Sequence, residues 1–192
     1  KLAGGNPVII ETSPDNNFKI SPDDLEKNIT KKTKWLFINS PSNPTGQVYS
    51  KAELINLTEV IKKHKNLYIL SDDIYEHIRY QNNERFYTIA ELDEEIFSRT
   101  LTMNGVSKAY SMTGWRIGYC GGPIEIINAM RKLMGQSTSN PSSISQWATV
   151  EALNGSKDFL NLWIESFKER RDFIVNYLNQ CNGISCLNPE GA

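Results

Sequence analysis

Apolar positions along the chain switch between short unbroken runs and stripes spaced three and four apart. Trp35-Leu-Phe-Ile-Asn39 and Leu67-Tyr-Ile-Leu70 are compact apolar runs of the kind a buried parallel strand needs. Thr100-Leu-Thr-Met103 and Ile117-Gly-Tyr-Cys120 read as two more strands, and Val8-Ile-Ile10 as a short β-branched one. Between these runs the period lengthens to that of helices. Ser21-Pro-Asp-Asp24 supplies an N-cap, a proline at the first helical position and acids in the first turn, and leads into Leu25 and Ile29. Ser50-Lys-Ala-Glu53 has capping-box spacing, after which Leu54, Leu57, Val60 and Ile61 form one helical stripe. Pro123 opens a helix carrying Ile124, Ile127, Met130 and Met134, and Ser143 with Gln146 caps another. Ser156 begins a stretch of about 25 residues, roughly 37 Å as a helix. Phe159, Trp163, Phe167, Ile174 and Leu178 lie on or near one of its faces.

Strands separated by helices of this length predict βαβ crossovers, hence an α/β protein with a mostly parallel sheet covered on both faces. In such sheets ligands bind beyond the carboxyl ends of the strands. The polar clusters Asn39 to Gly46, Ser71 to Tyr75 and Asn104 to Lys108 fall at those ends. No internal repeat and no Pro/Ser-rich linker interrupts the pattern.

Composition narrows the class. Of 192 residues, 39% are hydrophobic and 22% charged, with 12 Gly and 8 Pro, which excludes collagen-like, low-complexity and disordered chains. The 21 basic and 22 acidic side chains leave a net charge of −1, so no strong field gathers nucleic acid or an anionic membrane. No apolar run approaches the 18 or so residues of a membrane span. Cys120, Cys181 and Cys186, with His64 and His77, make neither a disulfide framework nor a metal cluster, and no metal is expected. The three cysteines read as thiols of a reducing cytosol, which predicts a cytoplasmic protein. The segment from Lys1 to Ile10 lacks the pattern of a signal peptide and a starting Met, and Asn188-Pro-Glu-Gly-Ala192 stops in a turn-like segment. Both ends predict a fragment of a longer protein.

The candidate chemistry centres on Lys108. A lysine just past a strand end can be lifted out of water and freed to form a Schiff base, although a lone lysine is more often a solvated surface residue. Arg116, eight residues on and beside Gly114, has the planar fork that suits a phosphate; its ordinary meaning is an ion-pair partner. Asp72 and Tyr75, three apart after a strand, can face one ligand, or Asp72-Asp73 can simply cap a helix. Asn43 lies in Pro41-Ser-Asn-Pro-Thr-Gly46, which reads equally as a tight turn.

In combination these segments mean more. Pro-Ser-Asn-Pro-Thr-Gly, then Ser-Asp-Asp-Ile-Tyr-Glu, then Ser-Lys with an Arg eight residues later, in that order, resembles the fold-type I pyridoxal-phosphate aminotransferases. Leu2-Ala-Gly-Gly, Lys34-Trp35, the stretch from Arg99, Gln136-Ser-Thr-Ser-Asn-Pro141, Arg170-Arg-Asp172 and Pro189-Glu-Gly-Ala192 extend the likeness over essentially the whole chain. The branch it is most similar to is the bacterial aspartate aminotransferases, whose members include enzymes accepting prephenate.

The resemblance implies pyridoxal 5'-phosphate as cofactor and roles for six residues. Lys108 corresponds to the Schiff-base lysine, Asp72 to the partner of the pyridine nitrogen, and Tyr75 and Asn43 to the donors toward the cofactor's O3′. Arg116 corresponds to the phosphate-binding arginine, and Asn43 also to a contact of the substrate carboxylate. Part of the superfamily has a phosphate-binding hydroxyl three positions before the lysine. Here that position is Gly105, and Ser107 is the remaining candidate.

The same resemblance implies transfer of the amino group of L-aspartate to 2-oxoglutarate, in a homodimer acting on small amino and 2-oxo acids. It implies a three-layer α/β/α large domain over 1–155, a long interdomain helix over 156–182 and the start of a small domain over 183–192. The family's ring-stacking aromatic and α-carboxylate arginine are then expected outside the chain, which alone is expected to be poorly active. Another fold-type I enzyme, or the aminotransferase-like sensor domain of a transcription regulator, would carry the same cofactor residues. His77 reads as a surface or packing residue, and Lys168-Glu-Arg-Arg-Asp172 as a solvated helix face.

Overall fold

In the computed structural model, residues 2–80 and 85–192 are described. Four strands form one sheet: β1 Trp35–Asn39, β2 Tyr68–Asp72, β3 Thr100–Gly105 and β4 Gly118–Gly121, in the order β1-β2-β3-β4. The first two pairings are parallel and the last is antiparallel. Around them run α1 Pro22–Asn28, α2 Lys51–Lys62, α3 Glu94–Phe97, α4 Ile124–Gly135, α5 Ser143–Asn154 and α6 Asp158–Leu178. Among the described residues no helix is long and apolar enough to cross a membrane.

The local signals act as chemistry requires. Ser21 caps α1 by accepting from the Asp24 N–H at 3.1 Å, with Pro22 in the first turn. Ser50 and Glu53 close a reciprocal box: Ser50 Oγ accepts from the Glu53 N–H, and Glu53 Oε2 from the Ser50 N–H at 2.7 Å. The stripe behind that box (Leu54, Leu57, Val60, Ile61) is buried with Leu25 of α1 against Ile38 and Ile69 of the sheet, and Ile89 and Ile96 complete this core. A second cluster of Val106, Ala109, Tyr110, Ile117 and Leu160 packs the loop after β3 against the start of α6. It seats the segment that carries Lys108.

Some elements differ from expectation. Val8 to Ile10 form no strand, and Val8 and Ile9 are exposed. Three β-branched residues have no ladder to join there, and a strand exists only through its partner. β2 runs two residues past Leu70, because Ser71 pairs with Ile38 and Thr102, and Asp72 with Asn39 and Met103. Backbone pairing outweighs the polarity of those side chains. At α5 the N-cap is Ser142, not Ser143, without a side-chain bond, and Gln146 reaches back to the Pro141 carbonyl at 2.8 Å. The long helix begins at Asp158, after a turn in which Ser156 Oγ accepts from the Asp158 N–H. Its 21 residues span about 31 Å.

Candidate functional site

Register brings the polar clusters to one end of the sheet. Asn39 pairs with Asp72 and Asp72 with Met103, so the carboxyl ends of the three parallel strands stand side by side. β4 returns antiparallel with Gly118 opposite Gly105. Lys108, three residues after Gly105, and Arg116, two before Gly118, therefore leave the sheet at that same end.

The turn after β1 presents Asn43. Its N–H donates to Asn39 Oδ1 at 2.9 Å, while Asn39 Nδ2 donates to the Asp72 carbonyl at 2.9 Å. One strand-end asparagine thus holds the Asn43 turn and the end of β2 together. The Ser42 N–H donates to the Gln47 carbonyl at 2.9 Å and the Gly46 N–H to the Ser42 carbonyl at 2.7 Å, which closes the turn. Gly46 lies at φ +70°, a left-handed conformation that side chains disfavour.

Asn43 Nδ2 donates to Tyr75 Oη at 3.1 Å. Lys108 Nζ stands 5.4 Å from the centre of the Tyr75 ring. Groups expected from three separate strand ends are therefore in mutual reach. Asp72 is half-buried, and its carboxylate accepts from the Ile74 N–H at 3.3 Å. Its neighbour Asp73 is only 3% exposed and accepts from Ser71 Oγ at 2.6 Å. The two adjacent carboxyls thus take different partners. Burial pushes the Asp73 carboxyl up to about 6, with the nearby charges of Glu76 and Asp72 adding to the rise.

Arg116 closes a short 3-10 turn over Thr113–Trp115 and lies at φ +57°. A left-handed arginine costs on the order of 1–2 kcal/mol. Its guanidinium is exposed and donates to the Thr113 carbonyl at 2.9 Å. Ser107 is half-buried next to Lys108. A Cβ on Gly105 would lie 3.1 Å from the Ile117 carbonyl oxygen and 3.3 Å from Gly118 Cα. The close approach of the antiparallel partner leaves little room for a side chain at this position.

Sequence reasoning missed several neighbours. Glu76 accepts from Asn104 Nδ2 at 2.7 Å, tying the Tyr75 turn to the end of β3. His77 does pack, edge-on against Tyr110 at 6.1 Å, and burial holds its imidazole below the usual range. The charged run on α6 is not uniformly solvated: Arg171 stacks over Tyr80 at 4.9 Å and donates to the Pro189 carbonyl. Only Asn39 carried a local signal, an Asx residue opening a turn.

Comparison with known proteins identifies the family of the chain. The family model of aminotransferase class I and II matches residues 1–192. Over 191 residues the chain is 51% identical to the aspartate/prephenate aminotransferase of Cereibacter sphaeroides, of which it covers 48%. It is 52% identical to the aspartate aminotransferase of Rhizobium meliloti, covering 46% of that protein. The crystal structure of the Rhizobium meliloti aspartate aminotransferase superposes on 98% of the chain with a TM-score of 0.95, over 47% of its own length at 52% identity. The Thermus thermophilus aspartate aminotransferase with maleate gives 0.92 at 41% identity, covering 99% of this chain and 49% of that one. The chain thus spans about half the length of the curated relatives it matches, and its mostly parallel sheet corresponds to part of the large domain of such enzymes. It belongs to the aminotransferase class I and II family.

Proposed function

We propose that the chain supplies the cofactor-binding part of a pyridoxal-phosphate-dependent aspartate aminotransferase, which moves the amino group of L-aspartate to 2-oxoglutarate and takes prephenate as a further acceptor. The observation that carries this reading is the convergence of Asn43, Tyr75 and Lys108, with an amide–phenol bond of 3.1 Å and an amine 5.4 Å from the phenol ring. The donor set fits the cofactor. A carboxylate suits a protonated ring nitrogen, an amide and a phenol suit a ring oxygen, an amine suits a carbonyl, and a guanidinium suits a phosphate.

Each residue then has a task. Lys108 would be the covalent attachment point, and its Nζ, once freed by the incoming amino group, would take the proton from the substrate Cα and deliver it to the carbon to which the lysine had been attached. Asp72 holds the proton on the ring nitrogen. Asn43 and Tyr75 donate toward the ring oxygen, and Asn43 also toward the substrate carboxylate. Arg116, with Ser107 beside Lys108, holds the phosphate and so fixes the orientation of whatever is bound. Bound pyridoxal phosphate supplies the electron sink for the pair left when the Cα proton departs.

The chain divides accordingly into a large-domain portion over 1–155, an interdomain helix over 156–182 and the beginning of a small domain over 183–192. The complete protein works as a cytoplasmic homodimer in amino-acid metabolism. The relatives' names support the choice of aspartate. The test uses the complete gene product. Borohydride reduction in the presence of pyridoxal phosphate should label the peptide containing Lys108, and Lys108→Ala should abolish the label. A label on another lysine overturns the assignment. A donor panel should favour aspartate with 2-oxoglutarate, and a clear preference for aromatic or branched donors overturns the substrate.

A further inference from the structure

A segment at residues 188–192, far from any expected site residue in sequence, touches both turns that carry Asn43 and Tyr75. On the Asn43 side, the N–H groups of Glu190 and Gly191 both donate to the Gly46 carbonyl, at 2.7 and 2.9 Å. Glu190 Oε2 accepts from the Val48 N–H at 3.0 Å, and Gln47 Nε2 reaches the Asn188 carbonyl at 3.4 Å. On the Tyr75 side, the Ala192 N–H donates to the Ile78 carbonyl at 3.0 Å and the Tyr80 N–H to the Glu190 carbonyl at 2.8 Å. Ile78 belongs to the turn directly, since its N–H donates to the Tyr75 carbonyl at 2.8 Å. Arg171, stacked over Tyr80, holds Pro189 from the α6 side.

The fit leaves no slack. A Cβ on Gly191 would lie 2.5 Å from the Ile78 carbonyl oxygen and 3.1 Å from Pro41 Cβ, one atom from each turn. Gly191 is not in the left-handed region, so a side chain there meets neighbours rather than backbone strain. Pro189 packs directly on Gly46.

We propose that the Pro189–Ala192 segment is a wedge that sets the separation of the Asn43 and Tyr75 turns, with Gly191 as the positioning residue. The shared hydrogen bond of Asn43 and Tyr75 exists because the wedge has this thickness. The proposal rests on reading those two side chains as donors toward the cofactor's ring oxygen. A donor moved out of place stabilises the ionised oxygen less, so its proton leaves at higher pH. Thickening the wedge by one methyl therefore alters a titration, which a purely structural lesion would not do.

The experiment uses the complete gene product with 3-fluorotyrosine at position 75, first without cofactor and then loaded with pyridoxal phosphate. Asn43→Ala gives the fluorine resonance of a Tyr75 that has lost its partner. Gly191→Ala should move the resonance of the cofactor-free protein to that position. In the loaded protein it should raise the pH midpoint of the cofactor's visible absorption by about one unit. A folded Gly191→Ala protein with the parental resonance overturns the wedge. If Gly191→Ala fails to fold, Pro189→Gly, which adds no bulk, is read in the same way: a displaced resonance supports the wedge and a parental one overturns it. A parent protein that shows no visible band with pyridoxal phosphate overturns the proposed function instead, and the fluorine resonance still decides the wedge.

Discussion

Asn43 and Tyr75 stand 32 positions apart in the chain, and the amide of the first donates to the phenol oxygen of the second at 3.1 Å. Two strand ends in parallel register make that possible: the Ser40 N–H reaches the Asp72 carbonyl at 3.3 Å, and the turns beyond are carried as a pair. Because the two side chains share one bond, their effects on cofactor retention should not add. Asn43→Ala and Tyr75→Phe are each expected to weaken pyridoxal-phosphate binding by the complete gene product. The double variant should lose less than the summed losses by about 1 kcal/mol. Dissociation constants for the four proteins provide the check, and strict additivity would show that the bond does not matter at the site.

Asp72 and Asp73 are adjacent, and on the proposed reading it is Asp72 that serves the site. Asp73 points toward Ser71, and its N–H donates to the Met103 carbonyl at 2.9 Å. Asp72→Ala should therefore lower turnover by about a hundredfold or more, the scale seen when a preorganised charge partner is removed. Asp73→Asn should leave turnover close to that of the parent. The opposite order in steady-state rates would show that the strand register places the wrong carboxylate at the site.

Asp73 should nevertheless reveal itself through stability. Its carboxyl titrates at about 6 when folded, raised by burial from 3.8 in the unfolded chain. As pH rises from about 4 to about 6, the unfolded chain releases its proton first. Ionisation over that window therefore favours unfolding, with a total cost of about 3 kcal/mol. Below the window both states are protonated and the cost vanishes; above it the cost is constant. Asp73→Asn retains an acceptor for Ser71 Oγ and cannot ionise. In denaturant unfolding of the cofactor-free protein, the variant should gain on the parent steadily across the window and show little difference at lower pH. A pH-independent difference would refute this account.

What the sequence made legible was local. The capping box of Ser50 and Glu53, the proline start of α1 and the apolar run of β1 each lie within a few residues and appear in the structure where expected. Polar strand ends were harder, because Ser71 and Asp72 are in β2 only by virtue of partners more than 30 positions away. The site residues could be named because their order and spacing resemble a family, whereas their mutual distances could not. Arg171 shows where sequence reading stops. Nothing in Lys168-Glu-Arg-Arg-Asp172 marks the one arginine that is 10% exposed and holds Pro189. Gln47 and Asn188 meet across 141 positions with no local sign of it.

The surface of the chain also bears on its behaviour in isolation. Phe37 on β1 is 70% exposed, Ile144 and Trp147 on α5 are 74% and 75% exposed, and α4 buries none of its residues. A sheet face and two helices are thus left with large apolar side chains in water, which monomeric proteins generally avoid over extended areas. The 192-residue chain, produced alone, is expected to self-associate at micromolar concentration and to bind an apolar dye. On the proposed reading its turnover of aspartate should fall well below that of the complete gene product, since the chain spans only about half the length of the relatives it matches. Sedimentation velocity, dye fluorescence and a side-by-side rate measurement decide the matter. A monodisperse, dye-silent monomer with a rate equal to the complete protein would mean that the exposed apolar faces need no cover and that the chain carries the whole site.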